Sequence, residues 1–359
     1  MRSASNLCSG RSYESVKTIA RTGTVRSPAP RVSDSPATGI RLNTHHSTVF
    51  WWSSLAGRFL LRYRDFRHAR KFSYLGLRRH AVTYEGQRFV YYSADRVDDR
   101  PTLVLLHGFL DRGFAFRHVI APLIRDYRVI VVDLPGHGDC SLPALREAWT
   151  GPALYRSLYR FLRNLCNEPV HLLTHSMGGL LALQMHLYAR RLNEMPFLSL
   201  CAIAPGALLL PEAELDDLRR RFFPQSTAEV RSLLAELHHG LAERADEIPE
   251  FVLQGLLYRW STPGFRYLAE NTMERPDEVF LTEKQLRQCH LPVTLIWGAE
   301  DRIVPLARGR QMAKALQAQL HIVPGVGHNM LSESPDAVVR EAITHLRQFY
   351  HQSVRRARR

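Results

Sequence analysis

From residue 80 onward, short apolar runs of β-prone residues alternate with stretches of helical periodicity. Residues 80–84 and 87–92 read as an antiparallel pair joined through Glu85-Gly86. Further apolar runs, of buried-strand type, fall at 102–106, 129–132, 170–173, 198–203, 293–297 and 319–323. Helical patterns between most of them predict an α/β fold, a mostly parallel central sheet flanked by crossover helices. The alternation breaks over residues 207–286, which are mostly helical and without strong strands. This segment is expected to be an insertion, a helical cap or lid over the carboxyl ends of the strands. The core is therefore assigned to residues 80–206 and 287–350, followed by a basic tail at 351–359.

The segment 46–79 has a different texture. Trp52, Leu55, Ala56, Phe59 and Leu60 fall at i, i+3, i+4, i+7 and i+8, and Arg62, Arg64, Arg67, Arg70 and Lys71 follow. The apolar run is too short, and too interrupted by Arg58, to span a bilayer, which needs about 20 apolar residues. Such a helix suits either a membrane interface, through residues 50–71, or docking on the protein's own surface. Residues 1–45 are rich in Ser, Thr, Arg and Pro and lack periodic apolar positions, which predicts disorder. No apolar run follows the early arginine, against a secretory signal, while the acid-poor composition leaves organellar targeting open.

Composition narrows the function classes. The 359 residues are 45% apolar and carry a formal charge of +14. Residues 1–45 contribute +5, residues 58–80 contribute +7, and four of the last five residues are arginine, so the rest of the chain is slightly acidic. The body is thus no nucleic-acid platform, and no nucleic-acid partner is expected. Cys8, Cys140, Cys166, Cys201 and Cys289 are odd in number and scattered, which disfavours a disulfide framework or a cysteine zinc site and suits a reducing, cytoplasmic location. There is no dinucleotide fingerprint, phosphate loop or metal-ligand spacing, so neither cofactor nor metal is expected.

The chemistry concentrates in three post-strand turns. Val170-His171-Leu172-Leu173-Thr174-His175-Ser176-Met177-Gly178-Gly179 reads as strand, tight turn and helix, with Ser176 at the turn and Gly178 allowing close packing. Thr102-Leu103-Val104-Leu105-Leu106-His107-Gly108-Phe109 runs a buried strand into a His-Gly turn. Later, Trp297-Gly298-Ala299-Glu300-Asp301 and Gly325-Val326-Gly327-His328 end two further strands. Together with Asp133-Leu134-Pro135-Gly136-His137-Gly138, these motifs resemble the α/β-hydrolase superfamily over residues 80–350, with Thr174 where the family most often has glycine.

That resemblance implies a Ser176 nucleophile, a His328 base and an Asp301 acid, in the family's chain order, with Asp301 favoured over Glu300. It implies backbone N–H groups of Phe109 and Met177 as oxyanion donors, and structural roles for His107, Gly108 and Gly178. The family's other acid location is closed, because the strand before the cap ends in Ala204-Pro205-Gly206. Among family members the basic amphipathic lead segment is most similar to monoacylglycerol lipase-like esterases. The expected substrate is a small-molecule carboxylic ester with an apolar acyl chain; amide and carbon–carbon bond hydrolysis, or cofactor-free haloperoxidase chemistry, are the alternatives on the same triad. A noncatalytic binding protein is disfavoured by the completeness of the set. Residues 207–285 carry 15 acidic against nine basic residues, which leads to the expectation that polyanionic substrates are disfavoured.

Overall fold

The computed structural model describes residues 44–94, 99–142, 150–262, 270 and 274–357. The chain divides into two units, Met1–Thr44 and His45–Arg359. The extension at 1–45, expected to be disordered, falls almost wholly outside the described residues, as do the side chains of Trp51 and Trp52. A long helix, α1 (Thr44–Tyr74), lies in the second unit but for its first residue and precedes β1 (Arg78–Tyr84), β2 (Gln87–Ser93) and β3 (Thr102–Leu106). Then come α2 (Ile120–Asp126), β4 (Arg128–Val132), α3 (Gly151–Leu165), β5 (Val170–His175), α4 (Met177–Arg191) and β6 (Phe197–Ile203).

Between β6 and β7 (Val293–Gly298) the chain forms α5 (Glu212–Phe222), α6 (Thr227–Leu237), α7 (Glu250–Trp260), α8 (Pro276–Val279) and α9 (Glu283–Arg287). It finishes with α10 (Leu306–Leu316), β8 (Gln319–Val323), α11 (Met330–Glu333) and α12 (Pro335–Ala357). The last helix continues through residues assigned to a basic tail, because neither Pro nor Gly interrupts it after Pro335.

The eight strands lie in the order β1-β2-β4-β3-β5-β6-β7-β8. Only the β1–β2 and β2–β4 pairings are antiparallel; all others are parallel. This is an α/β-hydrolase fold. Alternate residues of one strand feed opposite faces: Val104 and Leu106 of β3 pack with α3 and α4, while Leu103 and Leu105 pack on the side of Phe72, α2 and α12. With both faces covered, the strand is apolar throughout, and each fully buried Leu or Val contributes roughly 1.5–3 kcal/mol.

Helix α1 is seated by a face that the hydrophobic pattern does not reveal. It buries Gly57, Leu61 and Phe72, with the Phe72 ring edge-on to Tyr92 and Phe114 at 5.4 and 5.2 Å. Gly57 meets α7 backbone to backbone. A Cβ there would lie 1.9 Å from the Phe251 carbonyl oxygen, and one on Gly255 would lie 2.7 Å from the Gly57 carbonyl carbon. Leu61 joins Val230, Leu233, Leu253, Leu256 and Trp260, from the helices between β6 and β7, in a separate apolar cluster. Of the stripe expected either to dock on the protein or to meet a membrane, Leu55, Phe59 and Leu60 are exposed rather than docked. The reason is steric: only glycine permits the close crossing, so Gly57 sets the rotation of the helix.

Gly255→Val forces the helices apart; the expected result is faster proteolysis within α1 and a loss of at least about 1–3 kcal/mol in chemical denaturation. An unchanged digestion pattern would remove the contact from consideration.

The second prediction concerns His171 and His345, buried behind the sheet and hydrogen-bonded through Nδ1 to the Ser199 and Thr294 hydroxyls at 2.8 Å each. Burial lowers their pKa values from 6.5 to about 4 and about 3. The unfolded chain therefore binds protons that the folded chain refuses, and stability falls as pH drops below 6.5 toward 4. The slope is up to about 1.4 kcal/mol per pH unit per imidazole. Comparing denaturation midpoints at neutral and mildly acidic pH should show this loss, and His345→Gln should reduce the number of protons taken up on unfolding by about one.

Candidate active site

Strand β5 is buried over its whole length and delivers the chain into a turn at Ser176, the residue before α4. Ser176 has φ +50° and ψ −116°. A non-glycine residue held in such a region carries on the order of 1–3 kcal/mol of strain. The surroundings over-determine it: the Ser176 N–H donates to the Ile203 carbonyl at 2.9 Å, and its own carbonyl accepts from Gly179 N–H at 2.9 Å. Gly178 lies against β3 so closely that a Cβ would sit 2.2 Å from the Leu106 carbonyl oxygen. The amino end of α4, with its partial positive charge, thus lies directly behind the serine hydroxyl.

Asp301 and His328 arrive from the turns after β7 and β8, and both are buried. One carboxylate oxygen of Asp301 accepts the N–H groups of Ile303 and Val304 at 2.9 and 2.8 Å. The other lies 2.8 Å from His328 Nδ1, and His328 Nε2 lies 2.9 Å from Ser176 Oγ. An ionised carboxylate only accepts, so it places the imidazole proton on Nδ1 and leaves Nε2 to accept from the serine hydroxyl. Glu300 is directed elsewhere, accepting the Val326 N–H at 3.0 Å. Glu333 likewise accepts from Gly327 N–H at 3.0 Å, and Asn329 N–H donates to the Leu237 carbonyl at the end of α6 at 2.9 Å. His328 is thereby held on both sides of its loop.

The turn after β3 lies alongside. A Cβ on Gly108 would be 3.1 Å from the Ser176 Cβ, so Phe109 is brought beside the Ser176–Met177 junction. His107 is fully buried; its Nε2 accepts the Leu134 N–H at 2.9 Å and its Nδ1–H donates to the Gly108 carbonyl at 2.7 Å. Burial, reinforced by His137, holds its pKa well below the ordinary value, so the ring stays neutral and ties the β3 and β4 turns together. The Asp133 carboxylate performs a similar service, accepting from Gly113 N–H at 2.7 Å and Asp139 N–H at 3.2 Å.

Known proteins share this arrangement of elements. The model of the Alpha/beta hydrolase family matches residues 103–341. The chain belongs to the alpha/beta hydrolase family. It is 29% identical to the uncharacterized hydrolase YugF of Bacillus subtilis (strain 168) over 257 residues, 69% of this chain and 91% of that protein. It is 23% identical to monoacylglycerol lipase ABHD6 of Homo sapiens over 275 residues, 73% of this chain and 80% of that protein. Among solved structures it superimposes on a membrane phospholipase A with a TM-score of 0.69 at 20% identity, covering 86% of this chain and 96% of the other.

In this alpha/beta hydrolase two cavities meet at Ser176. One, of about 420 Å³, is apolar and is bounded by Met177, Leu180 and Leu181 of α4, Leu218 and Phe222 of α5, and Phe280. The other, of about 630 Å³, opens on the side of α1 and is lined by Arg64, Asp111, Arg117, His238 and Arg259 as well as Ser176 and His328. Phe109, Ser176 and Phe222 border both.

Two groups at this site escape sequence reasoning. His175, next to the serine, donates through Nε2 to the His328 carbonyl at 3.0 Å and is kept neutral by burial, its pKa pushed down to about 3. Its place before Ser176 was a usable signal. Helix α1 gave none: Asp65 pairs with Arg112 and Arg259 at 2.8 Å each, a contact spanning 194 residues that no local pattern encodes.

Proposed function

We infer that this hydrolase cleaves carboxylic esters carrying an apolar acyl chain, by covalent catalysis at Ser176. The observation that supports this reading is the placement of Ser176 Oγ, 2.9 Å from His328 Nε2, at the border of an apolar cavity of about 420 Å³. The acyl chain occupies that cavity, where transfer from water contributes about 0.8 kcal/mol per buried methylene. Ser176 Oγ attacks the ester carbonyl carbon while its proton passes to His328 Nε2. The carbonyl oxygen, now negative, faces the backbone N–H groups of Phe109 and Met177, each contributing on the order of 3 kcal/mol. The carbon–oxygen bond to the alcohol then breaks, and the alcohol leaves with the proton from Nε2. Water repeats the sequence: it loses a proton to His328, attacks the acyl-enzyme, and releases the fatty acid as Ser176 recovers its proton. Asp301 fixes the tautomer and stabilises the imidazolium throughout.

The same reading includes peripheral membrane contact. On α1, Leu55, Phe59, Tyr63 and Phe66 recur at helical spacing on the exposed side, with Phe59 73% and Phe66 57% exposed. Arg62, Arg67, Arg70 and Lys71 are exposed around them. Apolar side chains ringed by cations suit the headgroup boundary of an anionic leaflet. Among the described residues no helix is long and apolar enough to cross a membrane. The similarity to a monoacylglycerol lipase supports the substrate class.

A fluorophosphonate probe should label Ser176, and Ser176→Ala should abolish labelling and turnover of a long-chain ester. Asp301→Asn should lower kcat on the order of 10³-fold or more, and a Ser176→Ala/His328→Ala double variant should be hardly worse than either single one. Persistent labelling of Ser176→Ala would remove the assignment. For the membrane face, cosedimentation with phosphatidylglycerol vesicles should weaken with salt and be lost in Phe59→Ser/Phe66→Ser. Intact protein that ignores such vesicles at low salt would overturn it.

A further inference from the structure

The larger of the two cavities has no place yet in the chemistry. Its described lining carries six arginines and two aspartates, and none of the cap segment's acidic residues is among them. One aspartate, Asp65, is already committed to Arg112 and Arg259. Arg58 lies over the Tyr258 ring at 4.0 Å, and Arg117 donates to the Phe114 carbonyl at 3.2 Å. Among the described residues no carboxylate lies within ion-pair distance of Arg58, Arg62, Arg64 or Arg117. The remaining aspartate, Asp111, spends one oxygen on the Arg112 N–H at 2.9 Å; burial pushes its pKa up while Arg117, Arg64 and Arg259 pull it down, so two carboxylates stand against six guanidinium groups.

The imidazoles on either side register the field. His68 is lowered to about 4 by burial, then by Arg117 and Arg64; His238 is lowered to about 4 by burial, then by His328 and Arg117. Both rings are neutral at pH 7, so the positive charge of the wall comes from its guanidinium groups. Cations gathered around a cavity repel one another unless an anion enters, and the guanidinium fork is suited to phosphate or carboxylate oxygens.

Position decides which part of the substrate meets this wall. The apolar cavity on one side of Ser176 accepts the acyl chain, so the cationic cavity on the other side receives the alcohol. We propose that the alcohol portion of the substrate carries an anionic group, a phosphate or a carboxylate, held by Arg64 and Arg117 while Ser176 takes the acyl group. This rests on the ester-hydrolase reading above and narrows it to anionic acyl esters. It also runs against the expectation drawn from the acidic composition of residues 207–285: none of those acids is in the described lining of the cationic cavity, although Glu214 and Asp217 border the apolar one, and α1 supplies much of the cationic cavity's charge. The hydrolysis is otherwise unchanged, with water consumed and a fatty acid and an anionic alcohol released.

The test compares the lauroyl esters of glycerol, glycerol phosphate and glyceric acid. The intact protein should favour one or both anionic esters over the glycerol ester by about tenfold or more in kcat/KM at low salt, a ratio that shrinks as salt rises. Preference for the phosphate ester alone identifies phosphate as the ligand; comparable preference for both assigns a general anion site. In Arg64→Gln/Arg117→Gln the ratio should fall toward one, while Arg64→Lys/Arg117→Lys retains part of it. With the unaltered protein, glycerol phosphate should inhibit glycerol-ester cleavage competitively and glycerol should not. Cleavage of all three esters with no anionic preference, or a preference unchanged in the double Gln variant, would overturn the proposal while leaving the ester-hydrolase reading intact. Turnover of none of the three would overturn that reading and this one with it.

Discussion

The approach of α4 to the carbonyl end of β3 is the constraint on which the site depends. With glycine at 178 the helix comes within a distance that any Cβ would forbid, 2.2 Å from the Leu106 carbonyl oxygen. That approach puts the Ser176 turn against the His107-Gly108 turn, with Ser176 at positive φ. The strain is sustained by the parallel sheet: β5 lies between β3 and β6 with both faces covered, so the turn cannot relax without opening the core. Asp301 and His328 are added from the turns after β7 and β8, beyond the β6 turn on the same sheet edge, each fixed by backbone N–H groups or carbonyls of its neighbours.

Helix α1 and the helices between β6 and β7 create the surroundings of that fixed point. The backbone contact between Gly57 and Gly255 clamps α1 to α7, and Asp65 ties α1 to both the β3 turn and α7 through Arg112 and Arg259. One helix thus has three environments around its circumference. A glycine-bearing face is buried, an apolar face with Phe59 and Phe66 is open, and arginines border the cavity beside Ser176. Under the proposed function, an interfacial helix that also walls the site would pass a substrate from a lipid surface to Ser176, with the acyl chain and its polar end sorted into the two cavities that meet there.

Much of the fold was legible because parallel strands buried on both faces leave long apolar runs between helical segments, as in Thr102–Leu106 and Val170–His175. Ser176, Asp301 and His328, which the structure joins in one hydrogen-bonded chain, could be picked out among many serines, aspartates and 17 histidines because each follows a strand, in the order that the α/β-hydrolase resemblance implies. The choice of Asp301 over Glu300 came from a loop resemblance, whereas the distances of the hydrogen-bonded chain come only from the fold. The fate of residues 50–71 was not legible: an apolar helical stripe has the same pattern whether it meets lipid or protein, and the deciding residue, Gly57, contributes nothing to hydrophobic periodicity.

By itself, then, the sequence determined the alternation of buried strands and helices, the order of the turns that carry chemistry, and the concentration of positive charge near the amino-terminal end. Tertiary structure decided which cavity that charge faces. Net charge counted along a segment says nothing of direction: the acidic residues of 207–285 are numerous yet absent from the described lining of the larger cavity, while arginines more than a hundred residues before His328 border it. Electrostatic effects act through space over a few ångströms, and only the packing of α1 across the sheet and α7 brings those charges to the serine.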